Sequence, residues 1–236
     1  MPRIVALIQA RTSSSRLPGK VLLPIGDRPM IGRVFDQVSA AGKLDQCVVV
    51  TSVDASDDPL AEWLSSNNIQ FFRGSLADVL SRFVDAARMT AADVIVRLTG
   101  DCPLHSPDTI DDVVDAFGRG EFDYASNVDP YSRPDGQDVE VMTRQALESA
   151  ALNGEPGPDR EHVTPYLRRA PQIKRLYFQH RSGPGGGHLR WTVDNPADLA
   201  YVRSIWSELD RLGPGPHTYE AIMGVVADPA PAAPPA

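Results

Sequence analysis

No stretch of the 236-residue chain approaches the roughly 20 uninterrupted apolar residues that span a bilayer. The apolar run near its start, Ile4–Ala10, is shorter than a signal peptide's core and is closed by Arg11, so it reads as a buried first strand and a cytoplasmic location is expected. Cysteine is scarce. Cys47 and Cys102 form no Cys-x-x-Cys pair, so neither a disulfide framework nor a zinc site is supported. Basic charge is also in deficit: the formal net charge of -8 argues against a nucleic-acid partner, while leaving room for a small anion held by local arginines. A Gly-x-x-x-x-Gly-Lys-Ser/Thr phosphate loop is missing, and there are no internal repeats.

What is present is an alternation of short apolar runs and amphipathic stretches. Strands are predicted at Ile4–Ala10, Gln46–Val53, Ile69–Phe72 and Asp93–Leu98, and helices over 29–41, 57–67, 76–89 and 106–117, the last with Ser106 as its cap. This rhythm predicts an α/β fold, a Rossmann-like and mostly parallel sheet with helices on both faces. Residues 1–227 read as one domain. After Phe122 the pattern changes: residues 125–140 read as a loop or lid, Val139–Met142 as a strand, 144–152 and 160–169 as helices. Residues 175–179 and Leu189–Val193 read as strands, and 196–212 and 218–226 as helices. Residues 228–236 are almost only Ala and Pro and read as a disordered tail.

Three segments carry chemistry. The first, Gln9-Ala10-Arg11-Thr12-Ser13-Ser14-Ser15-Arg16-Leu17-Pro18-Gly19-Lys20, follows the first strand at the edge where open parallel sheets bind ligands. Its hydroxyls and backbone N–H groups suit phosphate oxygens, and its cations suit their charge; by composition alone a polar surface loop is the favoured reading. The second, Thr99-Gly100-Asp101-Cys102-Pro103-Leu104, and the third, Trp191-Thr192-Val193-Asp194-Asn195-Pro196, each place an aspartate at a strand end. Each aspartate is a candidate Mg²⁺ ligand or a helix cap.

Together these segments resemble the cytidylyltransferase family that includes CMP-KDO synthetases, CMP-acylneuraminate synthetases and spore-coat polysaccharide cytidylyltransferases. Arg160-Glu161-His162-Val163-Thr164-Pro165-Tyr166 is similar to a signature of the spore-coat branch. The resemblance covers about residues 3–210. It implies the nucleotide-diphospho-sugar transferase fold and transfer of CMP from CTP to an acidic sugar. It further implies CTP phosphates held by Arg11, Ser13, Arg16 and Lys20, with Ala10, Gly19 and Thr99 also at the nucleotide, and Mg²⁺ on Asp101 and Asp194. Lys20, Arg11, Asp101 and Asp194 are the implied catalytic set, and Asp138, Glu140, Arg160, Glu161 and His162 the implied acceptor set. Residues 125–182 are implied to form an acceptor and dimerisation extension of a homodimer. One departure stands at Leu76-Ala77-Asp78, where the branch carries an acidic pair.

Other readings remain. The chain could use another nucleoside triphosphate, or be an inactive binding module of the same fold. Asp135-Gly136-Gln137-Asp138 does not match the Asp-x-Asp metal motif of glycosyltransferases. His162 is weighed as a general base, an acceptor contact, or a residue hydrogen-bonded within a helix or at a subunit contact. Tyr131 and Arg133 are possible acceptor contacts. His180 and His188 receive no role, and Trp191 reads as core.

Overall fold

The computed structural model describes residues 1–181, 183 and 185–226. The expected tail at 228–236 therefore lies outside the described residues.

β1 (Ile4–Gln9) is apolar on both faces because both are covered, as in a parallel sheet. A small antiparallel hairpin follows, β2 (Pro24–Ile25) and β3 (Arg28–Pro29), then α1 (Met30–Ser39). β4 (Gln46–Ser52), α2 (Asp58–Ser66), β5 (Phe71–Gly74), α3 (Val79–Met89), β6 (Val94–Thr99) and α4 (Pro107–Gly118) complete the strand–helix alternation. β7 (Tyr124–Ser126), β8 (Glu140–Thr143), α5 (Arg144–Asn153), α6 (Pro158–His162), α7 (Pro165–Arg169) and β9 (Arg175–Tyr177) come next, then α8 (Pro196–Leu212) and α9 (Tyr219–Val225).

The seven-stranded sheet runs β5-β4-β1-β6-β8-β7-β9. β4 and β6 flank β1 in parallel and β5 is parallel to β4, while β8 runs antiparallel to β6 and β7, and β9 is parallel to β7. After β1 the chain moves outward through β4 to β5, then crosses to the other side of β1 for β6. Strand order thus reverses between β1 and β6, and the crevice beyond their carboxyl ends is where such sheets bind ligands.

Three apolar clusters hold the layers. Val5, Leu7, Val48, Val50 and Ile95 face α3 and α5, whereas Ala6, Ile8, Val49, Val96 and Leu98 face α1 and α4. The third cluster packs Trp191 and Val193 with Trp206, Leu209 and Tyr219 of the last two helices. Trp191 is fully buried there, as its alternation with Arg190 and Thr192 suggested. Among the described residues no helix is long and apolar enough to cross a membrane.

The structure differs from the sequence reading in three places. Residues 160–169 form two short helices rather than one, because Val163 takes φ 69° and ψ -49° and Thr164 N donates to His162 O at 2.8 Å. That is a positive-φ γ-turn, a strained geometry for a β-branched residue; burial of Val163 in the first core cluster offsets the strain. Leu189–Val193 forms no strand of the sheet; among the described residues its pairing is one isolated bridge, Arg190 to Asp135. Residues 125–126, read as the start of a loop, join Tyr124 in β7.

The bridge at Asp135 depends on Gly136, which has φ 109° and whose missing Cβ would stand 3.0 Å from both Thr192 N and Trp191 C. Gly136→Ala is therefore expected to cost about 2 kcal/mol, lowering the melting temperature by about 4–8 °C in differential scanning fluorimetry. An unchanged transition would contradict this reading of the turn.

Candidate active site

The loop after β1 is shaped by its own backbone and one anchor. Gly19 has φ 69° and its N–H donates to Thr12 O at 2.8 Å, closing the loop and starting a single 3₁₀ turn at Lys20–Leu22. A left-handed residue is needed at that point, which glycine supplies without steric cost. The anchor is Asp57. Its carboxylate accepts from Thr12 N (2.7 Å), Thr12 Oγ1 (2.8 Å), Ser52 N (3.2 Å) and Ser52 Oγ (2.5 Å), tying the loop to the end of β4. Burial pushes the Asp57 carboxyl up, but these bonds outweigh it and hold the group below the ordinary carboxylate range.

The folded loop sends the Lys20 side chain inward between two aspartates from distant parts of the chain. Its Nζ donates to Asp101 Oδ2 at 2.9 Å, Asp194 Oδ1 at 3.0 Å and Val193 O at 2.8 Å. Asp101 lies just past β6. Asp194 is brought beside it because Val193 N donates to Asp101 O at 2.9 Å. Neither aspartate is spent as a helix cap. α8 is capped by Asn195 in a capping box with Asp198, whose Oδ2 also accepts from Asp194 N. That leaves the Asp194 carboxylate to Lys20, to Arg16 at 2.9 Å and to Arg190 at 2.5 Å.

Burial lowers the Lys20 pKa, but Asp101 and Asp194 more than compensate and raise it above the ordinary lysine value. Asp101 mirrors this: burial pushes it up, while the charge and hydrogen bond of Lys20 bring it below its usual value. Both groups are charged at neutral pH. Among the described residues no three His, Cys, Asp or Glu side chains gather as a metal cluster. The protein's offer to a cation is thus two carboxylates, each within 3.0 Å of Lys20 Nζ. That suits a hard ion such as Mg²⁺, which takes one or two protein carboxylates and fills its shell with phosphate and water.

A cleft of 310 Å³ opens over this point, lined by Gln9, Ala10, Arg11, Ser14, Ser15, Arg16, Lys20, Thr99, Gly100, Asp101, His162 and Asp194. Of the residues expected at the nucleotide, Ala10, Arg11, Arg16, Lys20, Thr99 and Asp101 line it. Ser13 is exposed and does not, the lining hydroxyls being those of Ser14 and Ser15; Gly19 serves the turn behind. A larger hollow of 590 Å³ beside β9, with Asp112, Arg119 and His180 in its wall, is off the switch point and contains none of the loop residues.

The expected acceptor set divides. His162 lines the cleft, delivered by the γ-turn at Val163, and Glu161 reaches Arg11 at 3.8 Å. Arg160 is turned away, bonded to Asp78 at 3.3 Å and Ala151 O at 2.8 Å. Asp78 itself caps α3. Glu140 also departs from expectation: it is 2 % exposed, and its carboxylate pairs with Arg97 (2.5 Å), Arg168 (2.7 Å) and Tyr124 Oη. Burial would raise its pKa, yet the two arginines bring it down to about 2. Its effect on the cleft is indirect, because Arg97 in turn donates to Gln9 at 3.1 Å. Arg133 is buried, its guanidinium 3.6 Å from the Tyr219 ring centre rather than in the cleft. Sequence reasoning missed Gln9, Asp57 and Arg190. Asp57 read as a helix start, and nothing local in the sequence marks its long-range bonds to Thr12.

An arginine- and serine-rich loop, two converging carboxylates and a switch-point crevice on this sheet are the arrangement expected of a nucleotidyltransferase. Comparison with known proteins specifies the family. A cytidylyltransferase family model matches residues 5–184. Spore coat polysaccharide biosynthesis protein SpsF of Bacillus subtilis is 31% identical over 219 residues, 88% of this chain and 88% of that protein. The 8-amino-3,8-dideoxy-manno-octulosonate cytidylyltransferase of Shewanella woodyi is 35% identical over 221 residues, 89% of this chain and 78% of that one. The solved structure of a cytidylyltransferase from Leptospira borgpetersenii superposes with a TM-score of 0.87 at 29% identity, covering 95% of this chain and 94% of its own. The chain belongs to the cytidylyltransferase family.

Asp138 supplies a pH signature beside the site. It is partly buried, with Gly136 N at 3.3 Å and Tyr131 Oη at 3.4 Å, and burial together with the charge of Asp135 pushes its carboxyl up to about 7. A raised native pKa contributes stability that is complete below the ordinary value of 3.8 and is lost as pH rises through about 7. Asp138→Asn is expected to flatten the fall of melting temperature between about pH 4.5 and 7.5. Equal slopes for the two proteins would contradict the shift.

Proposed function

We propose that this cleft transfers CMP from CTP to an oxygen of an acidic sugar and releases pyrophosphate, for surface polysaccharide or related biosynthesis. The observation that carries the reading is the Lys20 ammonium held between Asp101 and Asp194 at the end of β6. A divalent cation, Mg²⁺ on this reading, would be held by those two carboxylates and would supply Lewis acidity and charge neutralisation at the phosphates. The remaining work falls to the chain. Arg11, Arg16 and Lys20 neutralise phosphate oxygens, while Ser14, Ser15 and the backbone of the loop orient them. The acceptor oxygen attacks the α-phosphorus in line, the bond to the pyrophosphate oxygen breaks, and the acceptor's proton leaves to solvent. No covalent enzyme intermediate is involved.

The acceptor enters on the side of His162 and Glu161. A sugar acid fits the family resemblance and the name of the Shewanella relative, and a surface-polysaccharide role fits that of the Bacillus one. By the same reading the enzyme works in the cytoplasm as a homodimer, residues 125–182 packing against a second copy. β9, the outermost strand of that extension, carries the exposed Tyr177.

The test is a coupled pyrophosphate assay with CTP, Mg²⁺ and a panel of sugar acids. Asp101→Asn is expected to lower kcat by about 10²–10³, the scale of losing one well-placed electrostatic contact, with the melting transition kept. Chelation should abolish the wild-type signal and added Mg²⁺ restore it. Near-normal turnover by the folded variant would contradict the assignment.

A further inference from the structure

Arg190 does not line the cleft, yet each of its guanidinium nitrogens meets a different carboxylate. Nε is 3.3 Å from Asp135 Oδ2, Nη1 is 3.0 Å from Asp198 Oδ1 and Nη2 is 2.5 Å from Asp194 Oδ2. Burial lowers the pKa of Arg190, but these carboxylates, Asp198 foremost, more than offset it and hold the group above the ordinary arginine value.

Two of the three carboxylates are fixed by other bonds. Asp198 closes the capping box of α8, its Oδ2 accepting from Asp194 N at 2.8 Å and from Asn195 N at 3.0 Å. Asp135 accepts from Thr192 Oγ1 at 2.7 Å, and its backbone pairs with Leu189 O at 3.0 Å and Trp191 N at 2.6 Å. A guanidinium is planar and rigid, so holding Nε and Nη1 also fixes where Nη2 points. The remaining partner, Asp194, takes its orientation from that fork.

Asp194 divides its oxygens. Oδ2 meets Arg190, whereas Oδ1 meets Arg16 at 2.9 Å and Lys20 at 3.0 Å. Arg16 and Lys20 stand in the cleft, where phosphates compete for them; Arg190 is outside it and keeps its carboxylates. With a triphosphate bound, Oδ1 is thus released to a cation and Oδ2 is not. The number of oxygens matters to the choice of ion. Mg²⁺ and ions of its size demand near-ideal octahedral geometry, which the two close oxygens of one carboxylate cannot supply together. Ca²⁺ is larger, takes more ligands and accepts carboxylates through both oxygens.

We propose that Arg190 is a positioning residue that acts through Asp194, making it a one-oxygen ligand and so favouring a small octahedral cation over Ca²⁺. This rests on the nucleotidyl-transfer reading of the cleft, in which Asp101 and Asp194 hold the ion. Without the fork, Asp194 turns between one-oxygen and two-oxygen binding, and the smaller ion loses more than the larger one. Lysine is no substitute, being a point charge on a flexible stem that cannot hold three carboxylates in a fixed plane.

The experiment compares the full-length protein with Arg190→Lys and Arg190→Met, each saturated with the α,β-methylene analogue of CTP. Electron paramagnetic resonance measures bound Mn²⁺, displacement of Mn²⁺ gives the affinity for Ca²⁺, and melting curves confirm the fold. Mn²⁺ affinity is expected to fall by about 10- to 100-fold in both variants, the usual effect of losing an outer partner of a metal ligand. Ca²⁺ affinity should fall less, so that the preference for Mn²⁺ narrows. A folded variant that keeps the wild-type Mn²⁺ affinity, or that loses both ions equally, overturns the proposal. So does an Arg190→Met protein that binds both ions more tightly, the result expected if Arg190 only neutralises charge. A wild type that binds no Mn²⁺ beside the analogue defeats the underlying reading of the cleft instead, and this proposal with it. Should neither variant fold, Asp135→Asn decides, because it loosens the same guanidinium from outside the cleft: Mn²⁺ affinity should drop by about 10-fold, and an unchanged affinity counts against the proposal.

Discussion

One ammonium group between two carboxylates organises this site. Lys20, Asp101 and Asp194 come from the loop after β1, the end of β6 and the approach to α8, and their side chains meet within 3.0 Å. Two aspartates this close would repel one another, and burial pushes the Asp101 carboxyl toward its protonated form. The cation between them keeps Asp101 ionised and is itself kept charged by them. Two carboxylates with a shared focal point suit a divalent ion, and the cations beside them suit a polyphosphate.

The rest of the fold brings the three together. Reversal of strand order at β1 opens the crevice, and parallel pairing of β1 with β6 places Gln9 opposite Thr99 at its mouth. Asp57 fastens the loop that carries Lys20. The Asn195–Asp198 capping box frees Asp194 from the capping role its position suggests. Backbone strain appears where the chain must turn a side chain toward the cleft: the γ-turn at Val163 sets His162 on its wall, with the cost offset by burying the valine. Such strain is commonly found at functional sites.

Much of this was legible in the sequence. Alternating apolar runs gave the strands and helices of the first half because those strands are buried on both faces and bounded by capping and turn residues. Asp101 and Asp194 stood out for their positions at the ends of apolar runs, and four ordered motifs named the family. What local pattern could not show were bonds between distant residues. Glu140 reads like an acceptor ligand, yet two arginines and a tyrosine from other elements consume it. Arg160 is drawn off by Asp78. The 160–169 stretch has the periodicity of one helix, and tertiary packing of Val163 breaks it in two.

The central claim is that Asp101 and Asp194 share one cation beside a triphosphate that Lys20 contacts. Diffraction from crystals soaked with Mn²⁺ and a non-hydrolysable CTP analogue, collected at the manganese edge, tests it directly. The account predicts one anomalous peak touching both carboxylates and an α-phosphate oxygen, with Lys20 Nζ on a phosphate. A peak bound to neither aspartate, or a triphosphate lying outside the Arg11–Lys20 loop, would contradict it.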